Sequence, residues 1–322
     1  MLLVDSIYFS YQEKEVLQNI TFQIEKGKNI AIMGESGCGK STLLKALYGL
    51  LTLNKGNVYY KEKKLLGPEF HLVPGHPFMK YLSQDFDLMP YISSAQNVGN
   101  FLSNFYPEEK EKRIYELLEI VGMTDYANTH VRYLSGGQQQ RIALARVLAK
   151  EPEVLLLDEP FSQIDNFKKN ELRYRLFEYL KEKQISCITA THDKEDVLAF
   201  SDEILVMKNG KKVIQNTPKK LFENPTNYYA ASLFAHVNKL NTKLFNASVE
   251  KNILVYPHEI KVGKKGIKAS VEKCYYKGNY YQLMVYCNGN KLVIQTEKKH
   301  QVGNIVNINC SKSLLENRNK LT

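Results

Sequence analysis

Three short apolar runs, each followed by a turn, divide the first two thirds of the chain. They lie within Asn29–Met33, Glu153–Pro160 and Ile185–Asp193. Their continuous hydrophobicity is typical of strands that are buried on both faces of a sheet. Leucines at helical spacing follow the first run and predict a helix that begins near Lys40. Buried strands that alternate with helices predict an α/β domain with a largely parallel sheet.

Two further patterns extend this α/β domain. Leu2–Phe9 and Val16–Ile24 alternate apolar and polar residues, which predicts two half-buried strands at the start of the chain. The stretch from Pro90 to Val131 has an amphipathic, helical pattern, so a helical subdomain is expected at about residues 90–140. We expect the whole α/β domain to comprise residues 1–235.

The pattern changes from about Lys239 onward. Short β-like runs are separated there by Gly, Asn and Lys residues, and the pair Asn288-Gly289 between two runs is a strong signal for a β-hairpin. Residues 236–315 are therefore predicted to form a small all-β domain. The chain after Ser313 is expected to be frayed, with residues 316–322 as a tail.

Composition and charge assign the chain to the globular class. Of its 322 residues, 43% are hydrophobic and 24% are charged, which excludes a disordered chain. No apolar stretch approaches the roughly 18 residues of a membrane span, and no secretory signal is visible, so a cytoplasmic protein is expected. The net charge is +10, and residues 236–322 carry this excess, with 15 Lys and Arg against 5 Asp and Glu. The two domains are therefore expected to have different tasks.

The segment GESGCGKST carries the clearest chemistry. It matches G-x-x-x-x-G-K-[ST] between a predicted strand and a predicted helix, where glycines let consecutive backbone N–H groups turn toward a phosphate. Lys40 is expected to reach the β- and γ-phosphates of ATP, and Ser41 to bind Mg²⁺. The predicted nucleotide-contacting residues of this loop are Gly34, Glu35, Ser36, Gly37, Cys38, Gly39, Lys40, Ser41 and Thr42.

Cys38 lies inside this phosphate-binding loop. The N-terminus of the following helix is expected to lower the pKa of its thiol, although no chemical step requires the thiol. Alkylation of Cys38 is expected to block ATP binding by steric obstruction.

A pair of acidic residues ends the second apolar run. In LLLDEP, Asp158 is expected to hold Mg²⁺ at the end of a buried strand. Glu159 follows directly and is expected to polarise the water that attacks the phosphate. A DE pair is weak evidence by itself, and the phosphate-binding loop upstream makes it strong.

The string LSGGQQQR (Leu134–Arg141, the signature segment) separates one family from other nucleotide-binding proteins. With it, the chain resembles the ATP-binding-cassette (ABC) transport ATPases, over about Leu2–Phe222. The resemblance implies a P-loop ATPase that works as a homodimer, with ATP held between two copies. It also implies that Ser135, Gly136, Gly137 and Gln138 contact the nucleotide bound by the other copy. The alternative for this segment is a plain helix cap.

Three other positions match the same family pattern. By this resemblance, Gln84 lies in a loop that senses Mg²⁺ and water and touches the membrane subunit. His192, in ATHD, corresponds to a histidine that hydrogen-bonds the γ-phosphate. Asp165, in FSQID, corresponds to a loop that crosses the dimer interface and helps to bind nucleotide. The family usually has alanine and leucine where this chain has Gln163 and Ile164, and Asp165 is retained.

An aromatic residue is expected to stack on adenine. Tyr11 lies 29 residues before Lys40, where the family has such a ring. Tyr8 is the competing candidate, and Tyr11 is preferred.

The C-terminal part resembles importer-type members of the family. The stretch Leu221–Asn241 is similar to the exit from their ATPase domain, which commonly continues into a small barrel of the oligonucleotide/oligosaccharide-binding (TOBE) type. Such members serve iron, polyamines, sulfate, molybdate or sugars. The resemblance implies a homodimer on the inner face of the cell membrane, two membrane-spanning permease subunits and a solute-binding protein.

A second function class rests on the basic all-β domain. Five tyrosines lie among lysines there, and small barrels with basic and aromatic surfaces also bind single-stranded nucleic acid; they are Tyr275, Tyr276, Tyr280, Tyr281 and Tyr286. Cassette ATPases of that kind usually have two cassettes or a long coiled-coil insertion, and neither is visible here. The importer is therefore preferred to a nucleic-acid or ribosome partner and to an exporter.

Overall fold

Two units make up the computed structural model, which describes residues 1–318 and 320. The first unit comprises Met1–Pro218 and the second Lys219–Thr322. The boundary between the units thus lies earlier in the chain than the predicted boundary between residues 235 and 236. The reason is that the segment after Pro218 packs with the second unit: the ring of Phe222 stacks on Tyr256, with 4.8 Å between the centroids.

The strands of the first unit form two sheets. In chain order they are β1 (Leu2–Tyr11), β2 (Lys14–Ile24), β3 (Asn29–Met33), β4 (Lys55–Tyr60), β5 (Lys63–Leu65), β6 (Met79–Leu82), β7 (Val154–Asp158), β8 (Ser186–Ala190), β9 (Glu203–Lys208) and β10 (Lys211–Asn216). The larger sheet has the order β10-β9-β3-β8-β7-β6, and the smaller has the order β2-β1-β4-β5. All neighbours in the larger sheet are parallel except β9 and β10. The predicted parallel sheet is confirmed.

Helices cover the parallel sheet. They are α1 (Lys40–Tyr48), α2 (Ser94–Gly99), α3 (Pro107–Ile120), α4 (Gly136–Leu148), α5 (Asn166–Glu182) and α6 (Lys194–Phe200), with short 3₁₀ helices at Pro68–Phe70, Thr124–Tyr126 and Val131–Tyr133. Strand β7 is buried throughout because its side chains point alternately to two cores. Leu155 and Leu157 pack with residues of α3, α4 and α5, whereas Leu156 packs with α1 and the smaller sheet.

The carboxyl ends of the parallel strands meet at one edge of the sheet. Asp158 ends β7 and pairs in register with Ala190, the last residue of β8. Met33 ends β3 and leads into the phosphate-binding loop, Gly34–Thr42. The side chains that follow these strands are therefore gathered at the edge where open α/β sheets bind their ligands.

The second unit is mostly antiparallel β structure. Its elements are α7 (Pro218–Glu223), α8 (Tyr228–Phe234), β11 (Asn238–Asn241), β12 (Asn252–Val255), β13 (Ile260–Gly263), β14 (Ile267–Tyr276), β15 (Tyr281–Cys287), β16 (Asn290–Thr296), β17 (Ile305–Cys310) and α9 (Lys312–Asn317), with 3₁₀ helices at Thr242–Phe245 and Pro257–Glu259. Five strands form a sheet in the order β13-β17-β14-β15-β16, and β11 pairs with β12. The edge strands β13 and β16 approach each other without a shared ladder, so the sheet is curved and nearly closed.

The hairpin between β15 and β16 has the turn that its sequence predicts. Cys287 pairs with Asn290, so the loop has only the two residues Asn288 and Gly289. Both have positive φ values, 46° and 81°. This combination suits the twist of a two-residue hairpin and favours the Asn-Gly pair, so the prediction is confirmed.

The end of the second unit differs from expectation. Residues 314–317 are not frayed, because residues 312–317 form α9 and Leu315 is buried in the core of the β domain. Arg318 is 4% exposed and forms an ion pair with Glu259. The expected tail at residues 316–322 is thus ordered as far as Arg318, and its positions 319, 321 and 322 lie outside the described residues.

No membrane span is found among the helices of the described residues. Among the described residues, no helix has both the length and the apolar character that a bilayer span requires. The longest helix of that part of the chain, α5, has 17 residues and many charged side chains.

A buried amide joins the two small sheets of the second unit. Asn238 in β11 is 4% exposed, and its Nδ2 donates to the carbonyl oxygen of Val293 in β16 at 2.8 Å. Its Oδ1 accepts from the N–H of Val293 at 2.8 Å. One side chain therefore pairs both backbone groups of Val293, as a neighbouring strand would.

Replacing this amide should loosen β16. We expect Asn238→Ala to lower the local unfolding free energy of β16 by about 1–3 kcal/mol, because two buried backbone groups lose their partner. Hydrogen exchange of β16 peptides in the full chain, followed by mass spectrometry, measures this. Asn290→Ala, at the exposed start of the same strand, is the control, and equal exchange in both variants would contradict the role of Asn238.

Candidate functional site

The phosphate-binding loop requires glycine at two positions for different reasons. Gly39, directly before α1, has a φ of 105°, a left-handed conformation that side chains other than glycine rarely adopt. Gly34 has no space for a side chain, because a Cβ there would lie 2.3 Å from the carbonyl oxygen of Met207. These glycines let the backbone curl tightly between β3 and α1, as predicted.

Lys40 lies inside the curl of this loop. It is 9% exposed, and its Nζ donates to the carbonyl oxygens of Gly34 at 2.8 Å and Glu35 at 3.1 Å. The ammonium group is therefore held among the backbone groups that would surround a bound phosphate. This position fits a positive charge that meets the phosphates of ATP.

A buried carboxylate lies next to the loop. Asp158 is 3% exposed and accepts hydrogen bonds from the Ser41 hydroxyl at 3.0 Å and from the Tyr81 hydroxyl at 3.1 Å. Burial raises the pKa of Asp158, while its two hydrogen bonds and the nearby lysines oppose that rise. Hydroxyl and carboxylate oxygens are the ligands that Mg²⁺ prefers, so Ser41 and Asp158 fit the expected metal ion.

Tyr81 is a member of this site that the sequence did not reveal. It lies in β6, next to β7 in the sheet, and burial together with the charge of Asp158 raises the pKa of its hydroxyl. Its hydroxyl therefore remains a proton donor to Asp158. A tyrosine in a half-buried strand has no local signal for such a role, because its partner lies 77 positions away.

Glu159 and His192 meet at the carboxyl edge of the sheet. The Glu159 Oε1 and the His192 Nδ1 are 2.9 Å apart, and the two side chains are 16% and 73% exposed. Glu159 has a φ of 51°, which is strained for a residue with a side chain. Its N–H donates to the carbonyl oxygen of Ala190 in β8 at 2.9 Å. The two predicted catalytic residues are thus brought together.

A buried ion cluster holds the segment that carries His192. Arg173 of α5 is 2% exposed and forms ion pairs with Asp193 and with the buried Asp196 of α6. Thr191 donates to Asp196 at 3.0 Å. Burial raises the pKa of Asp196 to about 6, although the charge of Arg173 opposes this. Residues on both sides of His192 are therefore fixed, while His192 itself is exposed.

The signature segment contains the N-terminus of α4, which is capped by two side chains. Ser135 precedes α4, its hydroxyl accepts from the N–H of Gln138 at 3.3 Å, and the Gln138 side chain accepts from the N–H of Ser135 at 2.9 Å. Next to this capping box is an open cleft of about 540 Å³. It is lined by Ser135, Gly136, Gly137, Gln138, Arg141, Gln163, Ile164, Asp165 and Lys168.

A buried glutamine in the signature segment was also missed. Gln140 is 2% exposed; its Nε2 donates to the carbonyl oxygen of Glu159 at 2.9 Å, and its Oε1 accepts from the N–H of Gln163 at 3.0 Å. Helical spacing offered a signal, because Gln140 lies one turn before the buried Leu144 and so shares its face. Its partners were not predictable from that pattern.

Four other predicted residues, Gln84, Asp165, Tyr11 and Tyr8, form no hydrogen bond with Asp158 or Glu159 in the part of the chain that the structure describes. Gln84 is exposed and lies two residues after β6. Asp165 is exposed directly before α5, and its side chain does not cap that helix. Tyr11 ends β1, is 47% exposed and contacts the ring of Phe9 edge-on, whereas Tyr8 is half-buried. Assignment of nucleotide contacts to these residues stays a prediction.

The expectation for Cys38 is wrong in sign. The side chain is 4% exposed, and burial raises the pKa of its thiol, although the charge of Lys40 opposes this. The Sγ atom packs so close to Gly34 that a Cβ on that residue would lie 2.6 Å from it. Desolvation therefore outweighs the favourable field of the helix N-terminus.

A phosphate-binding loop, a buried carboxylate and a following glutamate at the carboxyl edge of a parallel sheet define a P-loop nucleotide hydrolase. Residues 17–162 match the protein-family description "ABC transporter". The chain is 30% identical to the Fe(3+) ions import ATP-binding protein FbpC of Haemophilus influenzae, covering 92% of each chain. It is also 30% identical to the spermidine/putrescine import ATP-binding protein PotA of Bacteroides fragilis, over 95% of this chain and 71% of that relative.

A solved structure agrees with these sequence matches. The ATP-binding cassette MJ0796, a dimer in a post-hydrolysis state bound to ADP and Pi, superposes with a TM-score of 0.60 and 27% identity. The match covers 68% of this chain and 99% of that one.

The chain belongs to the ABC transporter family, among its importer-type ATP-binding subunits. It is an ATPase that uses ATP and Mg²⁺, as the resemblance of its motifs implied. The predicted fold class, a P-loop α/β domain followed by a small all-β domain, is confirmed. The importer interpretation is confirmed over the nucleic-acid and exporter alternatives, because the matched relatives are import subunits over most of this chain.

The environment of Cys38 makes a prediction about its reactivity. N-ethylmaleimide should modify Cys38 slowly at neutral pH and faster at higher pH, because only the thiolate reacts and burial raises the pKa. Below that pKa, each pH unit should raise the rate about tenfold. Mass spectrometry of the Cys38 peptide measures the rate, with the half-buried Cys274 as the internal reference.

Two results would contradict this view of Cys38. A rate that has already reached its plateau by about pH 8 would indicate a lowered pKa. Full modification that leaves ATP turnover intact would show that the thiol does not border the nucleotide.

Proposed function

We propose that this chain powers solute uptake as a homodimer in which each ATP is held between the phosphate-binding loop of one copy and the signature segment of the other. Two membrane-spanning permease subunits and a solute-binding protein complete the importer. The dimer lies on the inner face of the cell membrane, bound to the permease subunits.

The cleft beside Ser135 is the observation that carries this proposal. Free N–H groups at the start of a helix attract anions, and Gly136, the first residue of α4, is exposed there. Among the described residues that line the cleft, none belongs to the phosphate-binding loop. The cleft is thus half of a phosphate site, and a second copy supplies the other half.

The residues of the first half-site bind the nucleotide. Adenine stacks on the exposed ring of Tyr11, and the phosphates occupy the Gly34–Thr42 loop in contact with Lys40. Ser41 and Asp158 hold Mg²⁺, and Gln84 contacts the metal or its water. When bound, the metal ion offsets phosphate charge and fixes the orientation of the γ-phosphate.

Hydrolysis takes place where the two copies meet. Glu159 accepts a proton from the water that attacks the γ-phosphorus, and His192 donates a hydrogen bond to a γ-phosphate oxygen. The 2.9 Å contact between them keeps both groups at the reacting centre. Ser135 and Gly137 of the second copy, together with its Asp165, close the site and exclude bulk water.

The transported solute is chosen outside this chain. The two relatives, named for Fe(3+) and for spermidine/putrescine, are each 30% identical to it. Chains of equal similarity thus serve chemically different solutes. We infer that solute choice lies in the permease and solute-binding subunits, and that the region around Gln84 transmits movement to the permease.

Loss of the loop lysine should abolish nucleotide binding. Lys40→Ala removes the charge that meets the β- and γ-phosphates, so the affinity for ATP should fall by about 10²-fold or more. Isothermal titration of the purified chain with ATP and Mg²⁺ measures this. Lys112→Ala, on the exposed face of α3, is the control. Unchanged affinity of the Lys40 variant for ATP would contradict the proposed phosphate contact.

Loss of the catalytic carboxylate should separate binding from turnover. Glu159→Gln keeps the shape of the side chain but cannot take a proton, so kcat should fall by about 10²–10³-fold while ATP binding is retained. Size-exclusion chromatography with ATP should then show a trapped dimer. Glu178→Gln, exposed on α5, is the control, and hydrolysis at the native rate would exclude Glu159 as the base.

A further inference from the structure

We propose that Gln140 is a positioning residue that fixes the backbone of Glu159 to the signature helix α4, so that the base for one ATP moves together with the contact to the other. This inference rests on the proposed function. Gln140 has no contact with the nucleotide in this scheme, and it acts only through the two segments it joins.

The contacts of Gln140 all go to the turn between β7 and α5. Its Nε2 donates to the carbonyl oxygen of Glu159 at 2.9 Å and approaches the Ser162 hydroxyl at 3.4 Å, while its Oε1 accepts from the N–H of Gln163 at 3.0 Å. The Glu159 carbonyl group and the Gln163 N–H belong to no helix or strand. A single buried amide therefore satisfies a donor and an acceptor of the catalytic turn at once.

The backbone of Glu159 needs such support. Its φ of 51° lies in the left-handed region, which a residue with a side chain occupies only when its surroundings hold it there. The N–H is held by Ala190 of β8, and the carbonyl oxygen accepts from the Gln140 side chain at 2.9 Å and from the N–H of Ser162 in its own turn at 3.2 Å. The direction of the Glu159 carboxylate thus depends on α4 as well as on the sheet.

A second contact joins α4 to the same turn. A Cβ on Gly136 would lie 2.4 Å from the Gln163 Oε1, and a Cβ on Gly137 would lie 2.6 Å from the Gln163 carbonyl oxygen. The start of α4, which contacts the ATP of the other copy, and the turn that carries Glu159 are therefore in close contact at Gln163. A shift of either one is transmitted to the other, which couples the two ATP sites of the dimer.

A double-mutant cycle tests this role in the full chain. Gln140→Met keeps the length of the side chain and removes both hydrogen bonds, so kcat should fall about tenfold while the affinity of the unmodified loop for ATP stays within about twofold. In the Glu159→Gln background, the same change should alter the residual single-turnover rate by less than about twofold. Equal losses in both backgrounds, or no loss in either, would overturn the inference.

Gln139→Met is the matched control on the same helix. The Gln139 side chain donates to the carbonyl oxygens of Val131 and Leu134 and does not contact the catalytic turn. Its loss should change the rate by the same factor in the unmodified chain and in the Glu159→Gln background. A dependence on Glu159 as strong as that of Gln140→Met would show that the effect is general loosening of α4, and would overturn the inference.

Gln140→Glu gives a readout that does not depend on the apolar variant folding. A buried carboxyl group has a raised pKa, and only its protonated form can donate to the Glu159 carbonyl oxygen. The activity of this variant relative to the unmodified chain should therefore rise as the pH falls. A flat ratio would contradict the proposed hydrogen bond.

The hydrolysis rates of the unmodified chain and of Glu159→Gln distinguish failure of the proposed function from failure of the role of Gln140. If the chain does not hydrolyse ATP, or if Glu159→Gln is not slower, the proposed function fails before Gln140 is considered. If both behave as expected and the cycle is additive, only the role of Gln140 is wrong.

Discussion

Burial of the Asp158 carboxylate is the constraint on which the site depends. A carboxylate that is 3% exposed is costly to ionise, and two hydroxyl groups offset only part of that cost. A cation at this place is therefore favoured strongly. The parallel register between β7 and β8 then brings Glu159 and His192 together, because these residues follow the ends of the two strands. The proposed metal site and the proposed proton acceptor thus both lie at the end of one buried strand.

Local chemistry explains what the sequence could predict. The glycines and Lys40 of the phosphate-binding loop are required by backbone geometry within a single short loop, so their pattern is readable without the fold. The hairpin at Asn288-Gly289 is local in the same sense. Buried strands beside turns indicated the parallel sheet, and the charges of residues 236–322 indicated a second domain, because both are properties of contiguous sequence.

The misses all involve partners that are distant in the chain. Tyr81 and Gln140 acquire their roles from strand pairing and helix packing, which no short pattern encodes. The error at Cys38 has the same origin: the helix N-terminus is visible in the sequence, whereas the contacts that bury the thiol come from the fold. The expectation of a frayed tail rested likewise on local position, although Arg318 forms an ion pair with an acidic residue 59 positions earlier.

The hydrogen bonds of Lys40 tie its ammonium group to the main chain of its own loop. The carbonyl oxygens of Gly34 and Glu35 accept from the Nζ, so the positive charge is held inside the same curl that presents the backbone N–H groups. A side chain that is already held by two acceptors has less conformational entropy to lose when it meets an anion. Part of the ordering cost of binding is thereby met when the loop folds, so more of the electrostatic attraction of this one lysine is expressed as affinity.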